Sequence, residues 1–382
     1  MPWLRRRHGV SYRTGIMHAA AEDPQRPAVM FVARRSRFGQ SWLEAVATAT
    51  RVTSATFDEA SEEPLAVRPL KLPLRRWSWP AEAELLGRRV SRSVRGAGVH
   101  PKLLHSHSYG WSAAMPTAAA RLKVPFVITE HSSWLSGANP DPAKRVTAPG
   151  RRMARYVFSV ADRVIAVSGH LADTIAALGV DGDKITVIGN PVDTARFRPC
   201  ATTGDGTETV IVSVNRLSVE KGVDVLLTAL SRLDTRRAWR LELVGTGPAA
   251  CELAALAHTL GIRDRVTFRG HLPREATLGA LQSADVYCSP SRTETFGLAA
   301  VEALACGLPT ITTAAGALRE LADAPAMVQT RVDDVDGLAA ALREAIDGQI
   351  DHDPEAQWRW VDERFSPRVV GAKTARVYGE IA

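Results

Sequence analysis

Cysteine is scarce in this chain of 382 residues. Cys200, Cys251, Cys288 and Cys306 are too few and too scattered for a disulfide framework, and none forms a CxxC pair, which fits a reducing compartment. Long hydrophobic runs are missing too: none approaches the ~20 residues that a membrane-spanning helix needs. The opening Met1 to His8 carries charge, but no apolar stretch with a small-residue cleavage pattern follows, so residues 1–27 read as a leader rather than a secretory signal. These absences predict a cytoplasmic protein. No internal repeat or low-complexity tract is visible. What remains is ordinary for a soluble globular chain, 45% apolar and 23% charged, and too long for one core, which predicts two domains of comparable size.

The net charge of +7 is compatible with nucleic acid, an anionic membrane face or a polyphosphate ligand. Cations concentrate at Lys71, Arg75, Arg76, Arg88, Arg89, Arg92 and Arg95, opposed only by Glu82 and Glu84, with Trp77 and Trp79 beside them. A solvated arginine-rich helix accounts for this stretch. The alternative is a patch for an acidic acceptor or for peripheral contact with an anionic membrane at its inner face. A nucleic-acid-binding protein would present cations on one face with aromatic platforms or a recognised motif, and apart from this stretch neither is evident, so no nucleic acid is expected as a partner.

Apolar runs alternate with helical spacing along the chain. Ala28 to Ala33 reads as a strand and Ser41 to Thr50 as a helix. Strands follow at Lys102 to His105, Pro125 to Thr129, Arg163 to Val167 and Lys184 to Ile188, with helices around Ala113 to Leu122 and at Gly169 to Leu178. The polar segment at residues 198–208 reads as a linker. A second series then runs through strands near 210–214, 241–244, 266–268, 286–288 and 310–312, with helices near 223–233, 249–260, 298–305 and 335–346. The predicted fold class is α/β: two Rossmann-like domains, residues 28–197 and 209–362, facing a central cleft, with residues 363–382 as a C-terminal helix. In such sheets ligands lie beyond the carboxyl ends of the strands, so the strand-exit loops carry the candidates.

The strongest candidate runs from Ser291 to Pro309. Glu294 lies in a strand-exit loop, Thr293 or Thr295 is placed to cap the next helix, and Gly297 lets a ligand approach a first turn whose free N–H groups suit a phosphate. Glu302 stands two turns in, close to the buried side set by Leu298, Val301 and Leu304. With Glu294 it can face one bound molecule. In Val212 to Gly222, a strand delivers Arg216 and Lys221 into one loop, a guanidinium fork and a point charge suited to a diphosphate leaving group. Asp181-Gly182-Asp183 superficially matches a metal-binding DxD but joins a helix to a strand, and reads as a turn. The lone Gly245-Thr246-Gly247, without a third glycine or a closing acidic residue, argues against dinucleotide binding.

Glu294-Thr-Phe-Gly-Leu with Glu302-Ala-Leu-Ala-Cys-Gly-Leu-Pro resembles the Glu-x7-Glu signature of family 4 glycosyltransferases, and the resemblance extends from about Ala28 to the C-terminus. It implies a GT-B fold and a retaining glycosyltransferase moving a sugar from a nucleotide-sugar (UDP- or GDP-linked) to a hydroxyl acceptor. No cofactor and no metal are implied, since the nucleotide-sugar is itself a substrate. His131, Arg216, Lys221 and Glu294 stand at the catalytic positions. Gly245, Gly270, His271, Leu272, Phe296, Gly297, Leu298 and Glu302 stand where the family binds its donor. Gly270 to Pro273 is similar to the loop around the nucleotide base, Asn190-Pro191-Val192-Asp193 to the turn entering the linker, and Thr129-Glu130-His131 to the segment whose histidine reaches the transferred sugar. The last helix, from about Pro367 to Tyr378, is expected to return to the first domain. His105 and His107 read as structural. The chain departs from the family at Arg34 to Gly39, which lacks paired glycines, and at Ala315 to Glu320, which keeps one glycine of two. Two rival readings stay open: a nucleotide-sugar epimerase or phosphorylase on the same fold, and a basic nucleic-acid-binding protein.

Overall fold

A computed structural model of the chain describes residues 28–33, 42, 45–47, 51–56, 79–96, 98, 100–135, 139, 140, 145–200, 208–235 and 237–381. The leader 1–27, the loop Arg34 to Gly39, the cations Lys71, Arg75 and Arg76 with Trp77, and linker residues 201–207 lie outside the described residues. Twelve strands are described, forming two fully parallel six-stranded sheets.

The first sheet contains β1 (Ala28–Ala33), β2 (Arg51–Thr56), β3 (Leu103–His107), β4 (Phe126–Glu130), β5 (Arg163–Ala166) and β6 (Ile185–Val187), in the order β2-β1-β3-β4-β5-β6. The second contains β7 (Glu208–Val214), β8 (Ala238–Val244), β9 (Val266–Gly270), β10 (Val286–Ser289), β11 (Thr310–Thr313) and β12 (Met327–Thr330), in the order β12-β11-β10-β7-β8-β9. β3, β4, β10 and β11 are buried at every position, as strands covered by helices on both faces must be. Strand order reverses between β1 and β3 in one sheet and between β7 and β10 in the other. Those reversals open the crevices in which α/β sheets hold ligands.

Several elements were not anticipated. β2, β12 and the helices Arg274–Gln282 and Pro354–Phe365 carry no strong apolar period that separates them from their neighbours, whereas the helix Ala148–Val160 is amphipathic, with Ala154, Val157 and Phe158 buried, and was overlooked. β3 extends two residues past the expected end, taking in Ser106 and His107 because their side chains are buried despite being polar. Asp181 to Asp183 is a turn: the Asp181 carboxylate accepts from the Asp183 N–H at 3.0 Å. The arginine-rich stretch forms the helix Trp79–Gly96, with Arg88, Arg89, Arg92 and Arg95 exposed and Arg88 paired to Glu84 at 2.7 Å.

The C-terminal helices bind the halves together. Gln357 donates to the Leu308 carbonyl of the second half at 2.7 Å, while Trp358 donates to the Thr194 carbonyl of the first at 3.0 Å. In the last helix, Pro367–Gly379, the fully buried Tyr378 hydroxyl meets His105 Nδ1 on β3. No described helix is long and apolar enough to cross a membrane.

Candidate active site

Because β7 and β10 are hydrogen-bonded neighbours, their exit loops meet at the reversal of the second sheet. Lys221, from the loop after β7, donates to Glu294 Oε1 from the loop after β10. Both side chains are mostly buried, 20% and 15% exposed. Ser291 Oγ adds a bond to the same carboxylate oxygen at 3.3 Å, above a chain of hydroxyls through Ser289 to Asn215. Arg216 stands exposed in the same loop as Lys221.

Arg292 secures this junction and was missed by motif reasoning, although it lies inside the quoted motif. Its backbone N–H donates to the Glu220 carbonyl at 2.8 Å. Its guanidinium grips both oxygens of Asp224 at 2.9 and 2.7 Å, donates to the Val219 carbonyl at 2.6 Å, and pairs with Asp333 at 2.7 Å. A bidentate fork of this kind fixes orientation as well as distance. It holds the Lys221 turn against the Glu294 loop.

The helix Leu298–Ala305 starts at Gly297, and the expected cap by Thr293 or Thr295 is corrected here: no side chain caps it. Thr293 is buried, and Thr295 Oγ1 donates across the cleft to the His131 carbonyl at 3.0 Å. Gly297 is also required by the backbone and by packing. It has φ +84°, and a Cβ there would stand 2.4 Å from Leu318 Cδ2. Gly316 resolves the turn in Ala315 to Glu320: a Cβ would meet the Glu294 carbonyl oxygen at 2.3 Å, and Ala317 N–H donates to that carbonyl at 3.1 Å. Glu302 is buried, 1% exposed, on the helix Leu298–Ala305.

The remaining donor-side positions separate. Gly245 N–H donates to the Gly270 carbonyl at 2.8 Å, and Leu217 N–H to the Thr246 carbonyl at 3.0 Å, so the loops after β7, β8 and β9 form one rim. His271 is exposed on that rim and Leu272 half-buried. Phe296 and Leu298 turn inward: Phe296 is 5% exposed with its ring edge-on to Phe365 at 5.2 Å, and Leu298 packs partly buried on the same core.

On the opposite wall, His131 follows β4. Its Nδ1 lies 3.0 Å from Asn190 Oδ1 and its Nε2 2.8 Å from His107 Nδ1. Asn190 Oδ1 also accepts from Trp42 Nε1 at 3.0 Å. His105 and His107 are stacked with ring centroids 4.7 Å apart, and His131 continues edge to edge from His107 in nearly the same plane at 5.1 Å. Burial pushes His131 down to about 4 and His105 to about 3, and carries His107 well below its usual range, so all three are neutral at pH 7. Glu130 is fully buried and its carboxyl is raised by that burial, although the backbone N–H groups of Tyr109, His131 and Ser132 donate to it at 2.7, 3.0 and 2.7 Å. A second cross-cleft contact comes from Glu320, whose carboxylate accepts from Gly169 N–H at 3.0 Å and His170 N–H at 2.7 Å, at the start of the helix Gly169–Ala176. This suits the positive end of a helix.

Known proteins resemble this chain in sequence and in fold. A model described as Glycosyltransferase Family 4 matches residues 45–196, and one described as Glycosyl transferases group 1 matches residues 201–360. Glycogen synthase of Mycobacterium tuberculosis is 31% identical over 311 residues, covering 76% of this chain and 72% of that protein. D-inositol 3-phosphate glycosyltransferase of Xylanimonas cellulosilytica is 31% identical over 285 residues, covering 68% and 62%. In fold, the chain is similar to Anabaena HepE, solved with UDP and glucose, at a TM-score of 0.74 and 19% identity over 92% of this chain and 99% of the other. With two parallel sheets joined in the GT-B manner and matching family models on either half, the chain belongs to the family 4 glycosyltransferases.

Proposed function

We propose that this glycosyltransferase is retaining and metal-independent, and that it binds a UDP-sugar, with a GDP-sugar as the second candidate, on the second-sheet side of the cleft. The observation that carries the reading is the Lys221 and Glu294 pair at the β7/β10 reversal, beside the free N-terminus of the helix Leu298–Ala305. Lys221 and the exposed Arg216 bind the diphosphate, aided by the backbone N–H groups from Phe296 to Leu298. Glu294 turns from Lys221 to hydroxyls of the donor when it arrives, and Glu302 serves the same molecule from deeper in the helix. The rim containing Gly245, Gly270, His271 and Leu272 receives the base. Structures of HepE hold UDP with glucose, which supports uracil and a hexose.

In the transfer step the bond from sugar C1 to the phosphate oxygen breaks while a bond from C1 to the acceptor oxygen forms on the same face. The acceptor proton passes to the departing phosphate oxygen. Charge gathers on the diphosphate as this happens, and fixed cations and helix N–H groups stabilise it without reorganising. They occupy the place where a metal-dependent enzyme sets carboxylates around Mg2+. The acceptor is a hydroxyl on a polysaccharide, lipid-linked or small molecule, presented from the first domain near His131. A cytoplasmic enzyme touching an anionic membrane through Arg88, Arg89, Arg92 and Arg95 is consistent with the exposure of that face.

Anomeric-proton NMR of the product, with an α-linked UDP-sugar as donor and EDTA present, tests stereochemistry and metal dependence together. An α-linked product is expected. A β-linked product overturns retention, and turnover seen only after Mn2+ is added overturns the role given to Arg216 and Lys221.

A further inference from the structure

The histidine stack has a defined proton arrangement. An indole N–H can only donate, so its 3.0 Å bond to Asn190 fixes that amide with Oδ1 towards Trp42. The same oxygen lies 3.0 Å from His131 Nδ1, which must therefore carry a proton. A neutral His131 then has its lone pair on Nε2, and the group 2.8 Å from it, His107 Nδ1, must donate. Both rings are held in the Nδ1–H form, opposite to the Nε2–H form that a free histidine side chain favours in water.

The surroundings leave little freedom for another arrangement. His107 stacks on His105 and meets His131 edge to edge in nearly the same plane, and Trp42 stands edge-on to all three at 6.4, 5.7 and 6.2 Å. His105 is held by Tyr378 Oη on one side and by Thr129 Oγ1 at 2.7 Å on the other. Protonating any member would bury a charge against two neighbouring imidazoles, which the low basicity of His131 and His105 reflects. With both ring nitrogens engaged inside the first domain, His131 offers the cleft its main-chain carbonyl, where Thr295 Oγ1 donates at 3.0 Å.

We propose that His107 is a positioning residue: by donating from Nδ1 to His131 Nε2 it fixes the tautomer and ring plane of His131, and so the place of the His131 carbonyl opposite the Glu294 loop. The effect on turnover rests on the donor site proposed above; the tautomer does not. The chain from Asn190 through His131, His107 and His105 to Tyr378 also ties this wall of the cleft to the last helix.

Two variants test it. His107→Phe keeps an aromatic ring in the stack but cannot donate, whereas His107→Asn places an amide nitrogen close to where Nδ1 stands. In 15N-labelled protein at pH 7.5, long-range 1H–15N spectra should show His131 as Nδ1–H in the parent and in His107→Asn, and as Nε2–H or a mixture in His107→Phe. Turnover should fall about tenfold in His107→Phe, the size of one lost hydrogen bond expressed in the rate, with donor KM changed less than about twofold and most of the loss recovered in His107→Asn. An unchanged His131 tautomer in His107→Phe overturns the proposal whatever the activity does, and so does a changed tautomer with parental turnover. Failure of the underlying donor site shows separately, as absence of UDP binding to the parent protein by calorimetry. If His107→Phe does not fold, an Nε2–H signal for His131 in the parent overturns the proposal by itself.

Discussion

Lowering the pH from 7.5 to 5.5 should destabilise the protein steeply, through His105, His107 and His131. A histidine whose folded pKa lies below the unfolded value of 6.5 binds fewer protons folded than unfolded. Its contribution to stability is therefore whole above 6.5 and drains away as the pH falls towards the folded value, about 4 for His131 and about 3 for His105. Each such group removes up to about 1.4 kcal/mol per pH unit, and three together about 4. Glu130 works in the opposite direction: its carboxyl is raised by burial, so the native state takes up that proton before the unfolded chain does, which offsets part of the loss. The net loss is on the order of 3–4 kcal/mol per pH unit between pH 6 and 5, against a total stability of roughly 5–15 kcal/mol. Urea unfolding followed by circular dichroism at fixed ionic strength, one curve per half pH unit, measures it. The midpoint should fall throughout this range, and the slope should be shallower by between about a third and a half in His107→Asn, which has one titrating group fewer. A midpoint that stays level from pH 7.5 to 5.5 would refute the buried, neutral assignment of the stack.

Lys221→Met and Glu294→Gln should each lower turnover by about 10²–10³, the scale of losing one stabilising group for developing charge, while Asp183→Ala in its surface turn leaves turnover unchanged; parental rates in the first two would remove the pair from the reaction. Gly297→Ala should cost about 1–2 kcal/mol for the left-handed backbone, with a further ~1–3 kcal/mol for crowding Leu318, read as a lowered melting temperature. A parental melting temperature would show that the Gly297 turn relaxes freely.

The parts of the fold that could be read from the sequence are those encoded over short spans. Residues 286–309 spell out a buried strand, a strand-exit loop and a helix in one uninterrupted stretch, so Glu294, Gly297 and Glu302 could be placed before their surroundings were known. The helix Pro354–Phe365 could not be separated from loop in the same way, because its Gln357, Trp358 and Trp360 face different neighbours and leave no clean apolar stripe. His105 and His107 read as structural because an alternating polar pair on a strand says nothing of a third imidazole 24 residues later. Arg292 was visible in the motif, but its purpose depends on Asp224 and Asp333, 68 and 41 residues away. Neither distance leaves a local signal.

The same reasoning explains why the Thr295 cap failed. Helix capping is a local preference worth about 1 kcal/mol, and a threonine hydroxyl at a strand exit has competing acceptors. Here Gly297 starts the helix in a left-handed conformation that no side chain caps, which leaves the Thr295 hydroxyl to bond His131 across the cleft and leaves the first-turn N–H groups to the space between the sheets. Glu320 makes the reciprocal choice: it leaves its own sheet to cap the helix Gly169–Ala176 of the other. A carboxylate on a helix start contributes about 0.3–1 kcal/mol when exposed, so this contact is weak enough to break when the cleft opens for a nucleotide-sugar. The ties through the half-buried Trp358 and Phe365 and the fully buried Tyr378 are less open to that exchange with water. Opening should therefore pivot about the C-terminal helices, with Thr295 and Glu320 on the side that separates.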